Sequence, residues 1–381
     1  ETAPDWSISR NRFWATAIPV WKCDSCNNIE VVGSIKELQE KAIEAVSDDV
    51  DLHKHVVDNI HLKCKCKSQM TRISEVFDCW FESGSMPYAA KHYPFENKEW
   101  FKDNFPADFI SEYVAQVRAW FYYMHVISVM LFDKAPFRNV AVSGNVLASD
   151  GTKMSKSKKN FPDPNLIFEK YGADVTRLFC LFAAPPERDL EWSEDGVEGS
   201  HRFANRVWRF AMECLEKIDG LKPFKGAASD LSSKQAKDLY IKANQTIQKV
   251  TDDIDKSFHF NTAISAVMEL VNVLYSIDLD SADDELKKVI LFSLENIILL
   301  LSPILPHFCE ELFEKLGRTG SIIEQPWPEY RKDSIKTDEV IVVVQVNGKL
   351  RSKFTIDAGV EEAIIKEKAL ADEKILKYVG D

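Results

Sequence analysis

Asp150-Gly151-Thr152-Lys153-Met154-Ser155-Lys156-Ser157-Lys158-Lys159-Asn160 is the stretch on which the reading of this chain turns. It is a short polar run with four lysines and two serines around one methionine. An apolar run from Val140 to Leu147 precedes it and reads as a strand, and Pro162-Asp163-Pro164 follows and opens a helical pattern. A lysine run is ordinarily a solvated surface. At the end of a strand it has a second use: such a loop can swing over a polyphosphate and bring ammonium groups to where negative charge develops on a leaving group.

The chain around it has 381 residues, room for two or three domains. At 45% hydrophobic and 28% charged residues it has ordinary globular composition. No apolar run approaches the length of a membrane span, and the start lacks the basic-then-apolar pattern of a signal peptide. A net charge of -12 argues against indiscriminate polyanion binding but leaves room for a local basic face. Eight cysteines, several in close pairs, point to a reduced compartment and metal ligation ahead of a disulfide framework. A cytoplasmic monomer is the expectation.

Two of those pairs, Cys23-Asp24-Ser25-Cys26 and Cys64-Lys65-Cys66, bracket a stretch the size of a small insert, about 22–72. Thiols two residues apart on a tight turn can face one ion, and a second pair completes a tetrahedron. A structural Zn2+ held by Cys23, Cys26, Cys64 and Cys66 is expected, stapling an insert that lacks a core of its own. His53, His55 and His61 are possible substitutes for a cysteine, and Lys63, Lys65 and Lys67 form a basic edge that can face RNA. A helix is expected over 34–46, with Leu38, Ala42 and Ala45 on one side.

Lys153 to Ser157 spells KMSKS, and here the chain resembles the class I aminoacyl-tRNA synthetases. The resemblance implies adenylation: an amino-acid carboxylate attacks the α-phosphate of ATP, carried with Mg2+, and pyrophosphate leaves. Lys153, Lys156, Ser155 and Ser157 would be catalytic, and Lys153, Met154, Lys156, Gly144 and Asn145 would bind ATP. It also implies an α/β fold, the C-terminal half of a doubly wound, Rossmann-like catalytic domain. The alternation of Phe105–Ile110 as strand, Glu112–Met124 as helix and Phe137–Leu147 as strand agrees with that. The family's His-x-Gly-His motif is absent, and the opening Trp6 to Trp14 reads like mid-domain sequence where isoleucyl- and valyl-type enzymes return from their editing domain. A fragment lacking that motif and the editing domain, not expected to adenylate by itself, is therefore implied.

Val76 to Tyr88 resembles the isoleucyl-type stretch that lines the amino-acid pocket, and Glu112, Gln116, Arg118, Trp120 and Phe121 keep part of a second isoleucyl motif. Tyr113, Ala115 and Ala119 depart from it where the family has Gly, Asp and Gly. Trp80, Phe81, Glu112, Gln116 and Trp120 are the implied pocket residues. From about residue 186 the wording is leucyl-like. Amphipathic runs over 198–217, 233–256, 260–277, 284–301 and 306–316 suggest a helical bundle.

The resemblance therefore divides the chain into 1–185, catalytic; 186–332, helical and anticodon-binding; and 333–381, a small α+β module contacting tRNA. Arg202, Arg206 and Arg209 on one helix face, with Lys349 and Arg351 beside an Asn-Gly turn, are the candidate tRNA contacts. Since the pocket chooses the amino acid, isoleucine and tRNA(Ile) are expected, with leucine as the alternative. A non-catalytic, zinc-containing tRNA-binding protein on the same scaffold is the reading from another class.

Overall fold

A computed structural model describes residues 5–155, 158, 160, 162–218, 220–335, 339–357 and 360–378. The chain divides into two compact units, Glu1–Gly144 and Asn145–Asp381.

The first unit opens with β1 (Ser9–Arg10), which pairs antiparallel with β6 (Val76–Phe77). Between them lies the insert, an antiparallel sheet in the order β3-β2-β5-β4, built from β2 (Val20–Cys23), β3 (Ile29–Val31), β4 (Leu62–Lys63) and β5 (Gln69–Arg72). Helix α1 (Ile35–Lys41) packs on it, started by Ser34, whose hydroxyl accepts the Glu37 N–H. It stops at Lys41, short of residue 46, because Ala42 turns extended and bridges to Leu62. A short α2 (Lys54–Val57) follows.

The insert does have a core. Trp21, Cys23, Leu38, Val57, Ile60, Leu62 and Met70 are buried together, and the Trp21 indole donates to the Ile60 carbonyl at 2.7 Å. The alternation of buried and exposed residues along β2 and β5 supplies that apolar face, which corrects the expectation of a coreless insert.

After β6 come α3 (Cys79–Gly84), α4 (Met86–Ala89) and α5 (Lys98–Asn104), then β7 (Ala107–Tyr113), a 3-10 turn over Val114–Arg118, α6 (Trp120–Phe132) and β8 (Phe137–Ser143). Strands β7 and β8 are parallel, in register from Ala107↔Phe137 to Tyr113↔Ser143, so β7–α6–β8 is a strand–helix–strand crossover. The helix expected over 112–124 is displaced. Strand pairing holds Glu112 and Tyr113 extended, and the helix begins only at Trp120, whose N–H is taken by the Gln116 side chain at 3.1 Å. Gly84 faces α6 closely: a Cβ there would lie 3.2 Å from the Met124 nitrogen and the Tyr123 carbonyl carbon.

In the second unit, β9 (Val146–Leu147) pairs in parallel with β10 (Leu190–Glu191), with α7 (Pro164–Tyr171) and α8 (Ala173–Ala183) between them in sequence. The bundle follows: α9 (Glu194–Lys217), α10 (Lys234–Ser257), α11 (Phe260–Tyr275), α12 (Asp284–Leu301) and α13 (Pro306–Lys315). Ser193, Ser233 and Asp283 cap three of these starts, and Pro306 sits in the first turn of α13. Leu239, Ile247, Ile264, Leu270, Ile290, Leu294 and Ile297 fill a continuous core.

Asp174 ties α8 to the start of α13 by accepting the Phe308 N–H at 2.8 Å, and Arg177 donates to the Pro303 carbonyl at 2.9 Å. A hairpin of β11 (Glu339–Val346) and β12 (Lys349–Asp357), with left-handed Asn347 and Gly348 at its turn, precedes α14 (Glu362–Leu370) and α15 (Glu373–Leu376). Among the described residues no helix is long and apolar enough to cross a membrane.

Candidate active site and thiolate cluster

The lysine loop leaves β9 through a tight return. Gly151, in the left-handed region at φ 76°, donates to the Ala148 carbonyl at 2.8 Å, and the Ala148 N–H in turn donates to the Thr152 carbonyl at 2.8 Å. Leu147 bridges Lys153, and the Met154 N–H reaches the Val146 carbonyl at 3.0 Å. The loop stem is therefore held antiparallel against β9 by an isolated bridge, while β10 pairs with β9 in parallel.

Lys153 is exposed, and Met154 and Ser155 are half-buried. Lys156 and Ser157 lie outside the described residues. A cleft of about 510 Å³ opens beside the stem, lined by Ala148, Met154, Asn160, Trp192, Glu194 and Asp195 among others. Asn145 is engaged at the foot of β9, its backbone and side-chain amides donating to Asp189 Oδ1 at 2.6 and 3.1 Å. Gly144 ends the first unit.

The pocket candidates lie in the first unit. The Trp120 indole donates to the Ser83 carbonyl at 3.1 Å, locking α6 onto α3, and Trp80 stacks on Tyr123 with ring centroids 5.9 Å apart. Phe81 stacks face to face on Phe77 at 4.2 Å. Trp80, Phe81, Gln116 and Trp120 thus belong to one α3–α6 contact region, whereas Glu112 is exposed on β7.

Two residues that the sequence reading passed over organise this region. Asp78, 3% exposed, accepts from the Trp6 indole at 3.0 Å and pairs with Arg10 at 3.2 Å. Glu82 accepts the Thr16 N–H at 2.7 Å. Their partners are 66 to 72 positions away in sequence, beyond the reach of a local pattern. Trp192, in the second unit, has no local pattern to single it out either. Its buried indole N–H has no hydrogen-bond partner among the described residues, and it lines the cleft beside the lysine loop.

The four cysteine sulfurs converge. Cys23 and Cys66 are 3.5 Å apart, Cys26 and Cys64 3.6 Å, and all four lie within 4.8 Å of one another. A tetrahedral zinc with Zn–S of about 2.3 Å sets sulfurs about 3.8 Å apart, so the set fits that ion. The two knuckles solve the same problem with different spacing. Asn27 and Lys67, both left-handed, return their N–H to the Cys23 and Cys64 carbonyls at 3.1 and 2.9 Å.

Hydrogen bonds from the Ser68 backbone and hydroxyl pull the Cys66 thiol down to about 6. The Cys66 backbone also pulls on Cys64, but burial and the neighbouring thiols outweigh it and hold Cys64 up at about 12. His53 and His61 are bonded to Asp51 and Glu44 at 2.6 and 2.8 Å, leaving the thiols as the ligand set. Lys63, Lys65 and Lys67 are exposed.

Of the tRNA candidates, Arg202 and Arg209 are exposed, and Arg202 pairs with Glu198 at 3.1 Å. Arg206 is spent within the fold: it donates to Asn272 at 2.9 Å and lies 4.7 Å over the Tyr275 ring, joining α9 to α11. Lys349 is exposed at the hairpin turn, while Arg351 packs over Tyr378 at 4.5 Å.

The family model for tRNA synthetases class I (I, L, M and V) matches residues 1–193, just over half of the chain. The chain belongs to that family. The model for the anticodon-binding domain of tRNA ligase matches residues 236–366. The leucine--tRNA ligase of Desulforapulum autotrophicum is 43% identical over 423 residues, covering 98% of this chain and 49% of the relative. That of Desulfatibacillum aliphaticivorans is 54% identical over 228 residues, covering 60% of this chain and 26% of its own length.

Among solved class I synthetases, agnB2 LeuRS of Agrobacterium radiobacter K84, in a ternary complex with tRNA and LeuAMS, superposes with a TM-score of 0.76 at 25% identity. That match covers 99% of this chain and 48% of that one. Mycobacterium tuberculosis methionyl-tRNA synthetase shares the fold, with a TM-score of 0.54 at 19% identity over 65% of this chain and 51% of its own. The chain spans about half the length of the first-mentioned leucine--tRNA ligase.

These relatives favour the leucyl alternative over the isoleucyl assignment. The match to leucine--tRNA ligases runs through the catalytic part as well as the bundle. The Trp-Phe and Ser-Gly-Ser wording that suggested isoleucine has a packing cause here. Phe81 and Trp80 build the aromatic layer, and Gly84 sits where α3 approaches α6 closely enough to crowd a Cβ.

Proposed function

We propose that this chain contributes to a leucine--tRNA ligase, which activates leucine with ATP and transfers it to tRNA(Leu). The observation that carries this is the 43% identity to a leucine--tRNA ligase across 98% of the chain. The lysine-loop geometry is consistent with it. The leucine carboxylate attacks the α-phosphate and pyrophosphate leaves with charge on its oxygens. Lys153, on a stem fixed by β9, presents an ammonium group toward that charge, and Lys156 adds a second. Ser155 and Ser157 supply hydroxyl donors. Because fixed donors stabilise charge that develops only in the transition state, their loss costs rate more than amino-acid affinity. Met154, with the cleft floor around Ala148 and Trp192, offers an apolar surface for the nucleotide base, whose triphosphate arrives with Mg2+.

In this reading Trp80, Phe81, Gln116 and Trp120 bound the leucine side-chain pocket. Zn2+ on Cys23, Cys26, Cys64 and Cys66 ties the two knuckles of the insert and supplies no chemistry to the reaction. Residues 1–185 form the catalytic part, 186–332 the anticodon-stem bundle and 333–381 a tRNA-body module, with Arg202, Arg209 and Lys349 as phosphate contacts.

The test is ATP–pyrophosphate exchange with leucine, isoleucine or valine, run on the chain and on the longest open reading frame that contains it. Titration with tRNA(Leu) and tRNA(Ile) accompanies it. Leucine-dependent exchange and preference for tRNA(Leu) are expected. Isoleucine-dependent exchange would overturn the substrate. Binding of tRNA with no nucleotide binding in either protein would replace the enzyme by an RNA-binding module.

A further inference from the structure

The side chain of Asn160 closes the base of the lysine loop. Its Oδ1 accepts the Ser155 N–H at 2.9 Å, and its Nδ2 donates to the Thr152 hydroxyl at 3.2 Å and the Lys153 carbonyl at 3.3 Å. Thr152 is itself fixed, its N–H and O–H both donating to Asp150 Oδ1, at 2.9 and 2.7 Å. The hydroxyl therefore gives its proton to Asp150 and turns its lone pairs to Asn160, a polarity that a carboxylate on one side and an amide N–H on the other enforce. Asn160 thereby joins three points on one side of the loop, at positions 152, 153 and 155. Leu147 and Val146 of β9 hold the same stem from the other side.

We propose that Asn160 is a positioning residue: with Thr152 and Asp150 it forms a polar latch that fixes positions 152, 153 and 155 and so where the Lys153 ammonium group is presented to phosphate. This rests on the adenylation reading only for its consequence. The latch itself is a statement about the loop. Asn160 is half-buried and lines the cleft; its bond to Ser155 is partly shielded from water, and those to Thr152 and Lys153 are exposed. Each is an ordinary neutral hydrogen bond, and losing the set should raise opening of the stem by roughly tenfold to thirtyfold.

The experiment uses the full chain with Asn160→Ala, Asn160→Asp, Thr152→Val and Thr152→Ser. Tryptic cleavage after Lys153 is followed by mass spectrometry, with cleavage in the bundle as internal reference and ATP present or absent. Cleavage after Lys153 should rise roughly tenfold in Asn160→Ala and Thr152→Val, with melting temperature unchanged. Asn160→Asp keeps one of the three bonds and should behave almost as Asn160→Ala; Thr152→Ser should restore wild-type protection. In the wild type ATP should slow this cleavage, and Asn160→Ala should need more ATP for the same protection. Equal cleavage in Asn160→Ala and wild type would overturn the latch. Failure of ATP to protect the wild type, with the variant difference intact, would instead count against nucleotide binding by this loop.

Discussion

Replacing Asp78 tests how the start of the chain is held to the aromatic layer beneath the candidate pocket. Its carboxylate is almost fully buried and meets the Trp6 indole at 3.0 Å and the Arg10 guanidinium at 3.2 Å, with the Cys79 thiol as a weak third donor at 3.6 Å. Asp78→Ala removes all three, the thiol's share being small. The Arg10 side chain is 38% exposed and regains water, so its share is discounted to about 1 kcal/mol. The indole bond contributes about 1 kcal/mol, and the stranded donor costs about 1 more, for a sum of roughly 2–3 kcal/mol.

Asp78→Asn keeps an oxygen for the indole and loses only the ion pair, so it should cost about 1 kcal/mol. Urea unfolding followed by near-ultraviolet circular dichroism reads both, because Trp6 lies 4.4 Å from the Tyr123 ring and reports the aromatic layer directly. Tryptic cleavage after Arg10 should rise in the same order. If Asp78→Ala shifts stability by less than about 0.5 kcal/mol, or if the two variants are equal, the assignment of this anchor is wrong.

Three further outcomes follow from the geometry. Protein purified under reducing conditions should carry one zinc per chain by metal analysis, and Cys64→Ser should abolish it and expose the Trp21 region to proteolysis. Zinc should bind more tightly as pH rises, because Cys64, held at about 12, must give up its proton to the metal, while Cys66, near 6, is already mostly thiolate at neutral pH. Retention of zinc unchanged at pH 5 would contradict this. Gly84→Ala should destabilise by about 1–3 kcal/mol in thermal melts, since the new methyl meets the α6 backbone; a neutral result would remove the packing account of the Ser-Gly-Ser wording. Lys153→Ala in a leucine-exchanging protein should lower the exchange rate by tenfold or more with little change in leucine affinity, and equal losses in both would refute the electrostatic role.

Most of the bundle was legible to within two residues, although α9 begins at Glu194, four residues before the run expected over 198–217. The run expected over 284–301 coincides with α12, and those over 233–256 and 260–277 differ from α10 and α11 by no more than two residues at either end. Long amphipathic periods with Ser or Asp caps carry that information locally. The hairpin around Asn347-Gly348 was legible for the same reason, since the turn needs left-handed residues. What escaped depends on distant partners.

The apolar spacing of Val114, Val117, Phe121 and Met124 imitates a helix, but β8 claims Glu112 and Tyr113 for the sheet. The strand expected to run from Phe137 to Leu147 breaks at Gly144 and Asn145, where Asp189 captures the backbone from 44 positions away. Within the candidate site, the cysteine spacing predicted a cluster that the sulfur positions match. The Arg202, Arg206 and Arg209 face was only partly legible, because nothing local reveals that Asn272 and Tyr275 occupy Arg206.

The parallel pairing of β7 and β8 has an evolutionary corollary. Because both strands run the same way, their carboxyl ends, Tyr113 and Ser143, come out at one rim, and each hands on to a turn that takes no part in the ladder. Substitutions in those turns, such as Ala115 or Ala119, can therefore accumulate without touching the hydrogen bonds that define the sheet. The rim can therefore vary without the sheet that carries it being rebuilt.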